Sequence, residues 1–279
     1  MFVSTQRYGS TRFHHSCSEH PKIEKFERHC HNGYELIFVV KGNGKYVVES
    51  TEYPLYPNTI LLLRPYEYHY VCPDGTSAYE RYVIHFSSEM LYDAVQRLAI
   101  MHPSEQLHSG VYFPAESVNP HISSQFTTLA LDCFFQSVQN EEEKALYETV
   151  LQSAINQILV LLSYHQSKDS PAPKNAWIGD VIRYLNENLD MPLSLEDIAR
   201  QFFVSKYHLS HTFLEHTGIS VMSYLTAKRI ALAEQLLEDG ISASEVAERV
   251  GFRDYSVFYR AYRKVTGESP AKAKSKSKQ

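Results

Sequence analysis

The sequence predicts a two-domain α+β protein, in which a small β-barrel or jelly roll with trailing helices precedes an all-α domain. Short apolar runs separated by turn signals fill residues 30–90, and residues 194–267 contain two pairs of short capped helices. A length of 279 residues and a composition that is 43% hydrophobic are sufficient for two separate cores. We expect the first domain at 1–165, a linker at 166–174 and the second domain at 175–279.

Five short runs rich in Val, Ile, Leu and Tyr predict antiparallel strands in the first domain. Turn signals separate them, among them Gly-Asn-Gly at 42–44 and Pro-Asp-Gly at 73–75. Strands of this length and spacing favour a small barrel or jelly roll, and a barrel of that size encloses one small ligand. The runs are residues 36–40, 45–49, 59–63, 68–72 and 80–86.

Two segments after these strands, 123–139 and 142–165, have apolar residues at helical spacing. Two interpretations of the stripe on the second helix stay open, because it fits packing on the barrel and pairing with another subunit equally well. The stretch 166–174 contains Ser, Pro and Lys without apolar periodicity, which is typical of a linker. The stripe comprises Leu146, Val150, Leu151, Ala154, Ile158 and Leu162.

The second domain begins two helix pairs with residues that favour helix N-termini. A capping box is expected from Ser242 to Glu245, and Gly218 stops the second helix of the first pair. A longer apolar helix joins the pairs. The predicted N-caps are Ser194, Ser205, Ser242 and Asp254. The residues of the second helix of each pair that are predicted to face the core are Leu209, Phe213, Leu214, Phe258, Tyr262 and Val265.

Each pair has the pattern of a helix-turn-helix, whose second helix fits the major groove of double-stranded DNA. Two such helices on one connector would enter successive grooves, roughly 34 Å apart. We expect Lys206 on a phosphate, and Tyr207, Ser210 and His211 on base edges. The outward residues predicted to contact DNA are Lys206, Tyr207, Ser210, His211, Ser256, Val257, Arg260, Arg263 and Lys264.

Spaced residues of the second helix pair, among them Gly251-Phe252, Phe258, Tyr262, Gly267 and Ser269-Pro270, form a specific pattern. With this pattern, residues 177–270 resemble the AraC/XylS family of transcription regulators. The resemblance implies DNA binding controlled by a small-molecule effector, with carbohydrates first. An Arg is common in the family where His211 stands, which implies a weaker guanine contact from the first recognition helix. Ala273-Lys274 replaces a usual Tyr-Arg. The matching residues include Leu195, Ile198, Ala199, Ser205, Leu209, Phe213, Gly218, Arg229, Ile230, Ala233, Leu236, Leu237, Ala247, Gly251, Phe252, Phe258, Tyr262, Gly267, Ser269 and Pro270.

The charge distribution agrees with an effector-binding first domain and a DNA-binding second domain. The formal net charge is −5, which separates into −7 for residues 1–169 and +2 for residues 170–279. The basic share therefore lies with the predicted DNA-binding part. Four cysteines lack metal or redox spacing, and no stretch approaches the length of a membrane span, so we expect reduced thiols, no membrane and a cytoplasmic location.

A histidine and glutamate pattern in the first domain resembles the two cupin motifs, so the barrel is expected to be cupin-like. His29 and His31 precede Glu35, and His69 follows, although Ile23 and Asn58 depart from the usual glycines. Imidazoles at alternate strand positions point the same way, so the set is also suited to Fe, Mn, Ni or Zn. We favour ligand contact over a metal or a purely structural cluster. The predicted ligand-binding residues are His29, His31, Glu35, Tyr46 and His69.

The leading hypothesis is a ligand-responsive transcription regulator, a homodimer with RNA polymerase as a further candidate partner. No cofactor is predicted, and the direction of regulation is not encoded in any residue identified above. Two alternatives stay open, a cupin-type metalloenzyme and a constitutive DNA-binding protein without an effector. The sequence contains no nucleophile triad, Walker loop or dinucleotide glycine motif, so we expect no enzyme activity.

Overall fold

The computed structural model describes residues 2–8, 11–21, 28–31, 33–101, 109–131, 140–164, 176–238 and 240–271. The chain divides into two compact units, Met1–Lys174 and Asn175–Gln279. Strands dominate the first unit and the second is helical, so the predicted fold class is confirmed. The linker expected at 166–174 and the lysines of the C-terminal tail lie outside the described residues.

The described part of the first unit contains nine strands in two antiparallel sheets. The larger sheet has the order β1-β2-β8-β3-β6-β9, and the smaller has the order β5-β4-β7. The five predicted strands are confirmed with slightly different ends, whereas β1, β2, β5 and β9 were not predicted. The strands are β1 (Phe2–Tyr8), β2 (Thr11–Ser18), β3 (Tyr34–Lys41), β4 (Gly44–Val48), β5 (Thr51–Leu55), β6 (Ile60–Leu63), β7 (His69–Pro73), β8 (Tyr79–Phe86) and β9 (Val111–Phe113).

Strand β3 divides its buried side chains between two cores. Successive residues of a strand point to opposite faces, so Leu36 and Phe38 join the core beneath the helices. Ile37 and Val39 face the other way and join an apolar layer that includes residues of both sheets. We call this second cluster the inter-sheet layer. Glu35 is two residues before Ile37 and so lies at one end of the same face.

Three α-helices lie after β8 in the described part of the first unit, with β9 between the first two: α1 (Asp93–Gln96), α2 (Pro120–Leu131) and α3 (Glu141–Tyr164). The predicted single stripe on α3 is wrong at Leu146 and Val150, which are 57% and 46% exposed. The buried stripe begins at Tyr147, one residue later, and one residue is a rotation of about 100° around a helix. The predicted end of α2 beyond Leu131 lies outside the described residues.

By length and composition, Glu142–Tyr164 is the one described helical segment that could cross a membrane. Its stripe from Tyr147 to Leu162 is buried in the core of the first unit. Asn156 is also buried, accepting a hydrogen bond from Tyr92 N at 2.8 Å and donating one to Met90 O at 2.7 Å. A core helix has these features too, and the hydrogen bonds of Asn156 to neighbouring backbone favour that interpretation.

Six helices form the described part of the second unit. All four predicted N-caps accept a backbone hydrogen bond, but the reciprocal capping box occurs at Ser194 with Asp197, and Ser242 makes only half of one. The inward assignments of Leu214 and Val265 are wrong, because both are about half exposed. The helices are α4 (Ala176–Glu187), α5 (Leu195–Gln201), α6 (Lys206–Thr217), α7 (Val221–Glu238), α8 (Ala243–Arg249) and α9 (Tyr255–Thr266).

A buried arginine of α7 connects that helix to the segment that follows α4 and to the turn within the second helix pair, α8–α9; the first pair is α5–α6. Arg229 donates to Leu189 O at 2.9 Å and also to Met191 O, and its guanidinium lies 5.6 Å from the ring centroid of Phe252. Gly251 is left-handed, and a Cβ there would lie 2.4 Å from Leu189 O. The close approach therefore requires glycine at position 251.

Phe203 occupies the corresponding left-handed turn of the first pair, with φ of 55° and 97% exposure. Replacing Phe203 by Gly should raise the free energy of unfolding by about 1 kcal/mol, because glycine avoids the left-handed penalty. Gly251→Ala should lower it. Guanidinium unfolding followed by fluorescence of Trp177, the single tryptophan, measures both. A loss of stability in Phe203→Gly would contradict the prediction.

Candidate functional site

The four residues of the His-Glu cluster predicted from the sequence come together at the end of the inter-sheet layer. The backbones of His29 and His69 form an isolated bridge, with N to O distances of 3.1 and 2.9 Å. Glu35 lies on β3, and His31 is four residues before it. One possible ligand atom from each of the four residues lies within 4.8 Å of the others. The structure therefore brings these four residues together, and their role as ligand contacts stays a prediction.

A buried carboxylate is the centre of this cluster. Glu35 Oε2 lies 2.9 Å from His31 Nε2 and 3.0 Å from His69 Nε2. The second oxygen, Oε1, lies 3.7 Å from His85 Nε2. Glu35 and His69 are buried, whereas His31 is partly exposed and His29 is exposed. The cluster is thus open on the His29 side.

The sequence analysis missed His85. Strand β8 pairs with β3 so that His85 stands opposite Glu35, and Val83 stands opposite Ile37. Arg81, Val83 and His85 alternate along β8 and share one face. The signal available in the sequence was the even spacing of Arg81 and His85, two polar residues on either side of the apolar centre of the strand at 82–84.

Burial and hydrogen bonding act in opposite directions on these groups. Burial alone would raise the pKa of Glu35, but hydrogen bonds from His31 and His69 and the nearby imidazole charges hold it well below its usual range. Burial lowers the pKa of His69, and its pairing with Glu35 outweighs this and raises it. Burial lowers the pKa of His85 to about 4 despite the attraction of Glu35. The carboxylate is therefore ionised beside a neutral His85.

A second polar group lies further along the inter-sheet layer. Tyr46 is buried, and its hydroxyl forms a hydrogen bond with that of Tyr79. The Arg81 guanidinium lies 4.7 Å from the centroid of the Tyr79 ring. Arg81 is four residues from His85 on the same strand face, a separation of roughly 13 Å. Tyr46 therefore belongs to this second group rather than to the cluster around Glu35.

The predicted DNA-contacting residues lie mostly on open surfaces of α6 and α9. Tyr207 is 80% exposed, and its ring is parallel to that of His211 with centroids 5.9 Å apart. Ser210 is partly buried. The other exposed members are Lys206, His211, Ser256, Val257, Arg260, Arg263 and Lys264.

Lys206, the predicted phosphate contact, already has an acidic neighbour. Its ammonium group pairs with the carboxylate of Glu196 at the start of α5, and both side chains are about half exposed. An exposed pair of this kind contributes little stability, typically about 0–1 kcal/mol. Lys206 can therefore leave Glu196 and bind a phosphate at little cost in free energy.

Known proteins share both halves of this architecture. The model of the AraC-like ligand binding domain matches residues 18–159, and a helix-turn-helix domain model matches residues 198–276. The chain is 28% identical over 246 residues to the HTH-type transcriptional regulator YfiF of Bacillus subtilis, covering 87% of this chain and 76% of YfiF. It is 26% identical over 244 residues to the arabinose operon regulatory protein of Escherichia coli, covering 86% of this chain and 79% of that protein.

Among solved structures, ToxT of Vibrio cholerae is 12% identical, with 94% of this chain and 96% of ToxT covered at a TM-score of 0.37. That score is too low to support any conclusion. The ligand-binding model alone spans half of the chain, and the helix-turn-helix model covers most of the second unit. The chain therefore belongs to the AraC family, as a ligand-responsive, DNA-binding transcription regulator and not an enzyme.

Proposed function

We propose that this regulator responds to a small polar molecule, a sugar in the first place, bound in the inter-sheet layer of the first unit. The observation that carries the proposal is the pair of polar groups along the inter-sheet layer, one around Glu35 on β3 and one around Arg81 on β8. A carboxylate, imidazoles, phenols and a guanidinium supply the hydrogen bonds that hydroxyl groups need, and tyrosine faces suit sugar rings. The relative named for the arabinose operon supports the same effector class.

The effector contacts in this proposal are the five residues predicted from the sequence, with two additions. His85 joins the cluster through its position opposite Glu35, and Arg81 joins through its contact with Tyr79. Glu35, Tyr46 and His69 are buried, and His31, Arg81 and His85 are partly buried, so a ligand that contacts them would be largely removed from water. The contacts carried over from the sequence are His29, His31, Glu35, Tyr46 and His69.

On DNA, we assign the recognition surfaces to α6 and α9, entering successive major grooves. Arg260 and His211 are the base-edge contacts, Lys206 is a phosphate contact, and the half-exposed Val257 suits a thymine methyl group. The remaining contacts are Tyr207, Ser210, Ser256, Arg263 and Lys264.

The partners in this proposal are operator DNA, a second copy of the chain and RNA polymerase, through which an activator acts. Leu146 and Val150 form an exposed apolar pair on α3, which we assign to the dimer interface. Access to genomic DNA requires a cytoplasmic location. The effector must bind the active and inactive states with different affinity, and allosteric couplings of this kind are typically about 1–3 kcal/mol.

Arg260→Ala should weaken binding to the native operator by about 1–3 kcal/mol, since one base-edge contact is lost. His211→Ala should have a smaller effect, because imidazole makes a weaker base contact than guanidinium. Fluorescence anisotropy at fixed salt measures both. Arg183→Ala, an exposed arginine of α4, is the matched control and should bind normally. Normal operator binding by the Arg260→Ala, His211→Ala double variant would refute the assignment.

Glu35→Gln should abolish the effect of the effector on operator affinity, because the amide removes the charge that three imidazoles face. His69→Gln should do the same. An effector found by a thermal-shift screen of sugars and other polar metabolites provides the probe, and the measurement is operator affinity with and without it. His15→Gln is the control, since His15 pairs with Glu80 outside this cluster. A normal response in both cluster variants would place the effector elsewhere.

The double substitution Leu146→Glu and Val150→Glu should convert the dimer to a monomer, because two charges cannot be buried in an apolar contact. Sedimentation equilibrium of the full chain measures the change. Gln157→Glu adds charge at another exposed position of α3 and should leave the dimer intact. A dimer that persists in the double variant would locate the interface on another surface.

A further inference from the structure

The donor atoms of the cluster converge as metal ligands do. His29, His31, Glu35 and His69 each present one nitrogen or oxygen within 4.8 Å of the others. These side chains come from the segment before β3, from β3 itself and from the start of β7. The backbone bridge between His29 and His69 and the register of the sheet hold the backbones of these residues in place.

Backbone carbonyls fix the orientation of two of the imidazoles. His31 Nδ1 lies 2.9 Å from Gly33 O, and His69 Nδ1 lies 2.8 Å from Glu67 O. A carbonyl oxygen only accepts hydrogen bonds, so both Nδ1 atoms carry the proton and donate. In a neutral ring the lone pair is then on Nε2, the atom that faces Glu35. Metal-bound histidines show this arrangement, with the second ring nitrogen donating to a carbonyl.

The same orientation points two ring nitrogens at one carboxylate oxygen. Glu35 Oε2 is an acceptor, and it lies 2.9 Å from His31 Nε2 and 3.0 Å from His69 Nε2. His69 Nε2 is buried as well. Two ring nitrogens and a carboxylate oxygen this close together require a positive charge among them, which protons on the Nε2 atoms supply in the metal-free chain and a bound cation supplies in their place.

We propose that His29, His31, Glu35 and His69 bind one divalent transition-metal ion. Three imidazole nitrogens and one carboxylate oxygen suit Zn²⁺, Ni²⁺ or Fe²⁺, whereas Mg²⁺ and Ca²⁺ require mostly oxygen ligands. His85 is a positioning residue, because it faces the other oxygen of Glu35 at 3.7 Å.

The metal site also refines the effector class. An octahedral ion with four protein ligands keeps two positions, which suit hydroxyl or carboxylate oxygens of a chelating molecule. The assignment of a chelating effector rests on the proposed effector site. Binding of the metal itself does not, because it requires neither effector nor DNA.

The test uses the full chain, stripped with a chelator and titrated with Co²⁺, followed by competition with Zn²⁺. One equivalent of Co²⁺ should bind and give visible d–d absorption, and Zn²⁺ should displace it. His69→Gln and Glu35→Gln should weaken binding at least about 100-fold, and His29→Gln at least about tenfold, given that even outer-sphere partners contribute 10–100-fold. His15→Gln, which removes an imidazole of the same unit outside the cluster, should bind Co²⁺ normally.

Two results would overturn the proposal. One is the absence of stoichiometric Co²⁺ or Zn²⁺ binding by the wild-type chain, and the other is normal binding by both His29→Gln and His69→Gln. His29 is exposed, so His29→Gln keeps the test decisive if the buried variants fail to fold. A wild-type chain that binds neither Co²⁺ nor Zn²⁺ but still responds to its effector would refute the metal site and leave the effector proposal intact.

Discussion

The antiparallel register between β3 and β8 determines what the interior of the first unit contains. It places Glu35 opposite His85 and Ile37 opposite Val83 on one face, while Leu36 and Ile84 supply the other face. Because strand side chains alternate, a slip of one residue would turn Glu35 into the core beneath the helices and bring Leu36 to its place. The chemistry of the site and the packing of the helices therefore depend on the same pairing.

Burial of Glu35 is costly for the fold, which is an argument for function. An ionised carboxylate is rarely removed from water unless it is paired, and replacing such polar groups by apolar ones is often neutral or stabilising. Two imidazoles offset the cost here, at 2.9 and 3.0 Å, while His85 adds a third ring whose pKa is lowered to about 4. A cluster with only a structural role would gain little from so many titratable groups.

The sequence predicted the parts of the fold that are governed by local patterns. The strand around Leu36 is a continuous apolar run, and the caps at Ser205 and Asp254 follow from short-range chemistry. Strand β2 was missed because Thr, His and Ser interrupt its apolar positions, although pairing with β8 buries Phe13.

Pairing between distant segments explains why other residues could not be predicted correctly from the sequence. His69 could be grouped with Glu35 through a motif, but His85 enters only through the β3–β8 register, which no local pattern specifies. Leu214 is apolar and sits next to the buried Phe213, so composition suggested burial. Phe213 and Leu214 are about 100° apart around the helix, and only tertiary packing determines which of the two faces the core.

The second unit limits how a signal can reach DNA. Arg229 binds the carbonyls of Leu189 and Met191, and Gly251 lies against the same segment with no room for a side chain. These contacts join α7 and the turn after α8 to the residues after α4. A shift of the α8–α9 pair relative to those residues would have to break them. The contacts of Arg229 and Gly251 therefore favour a second unit in which α9 keeps a constant position relative to α7.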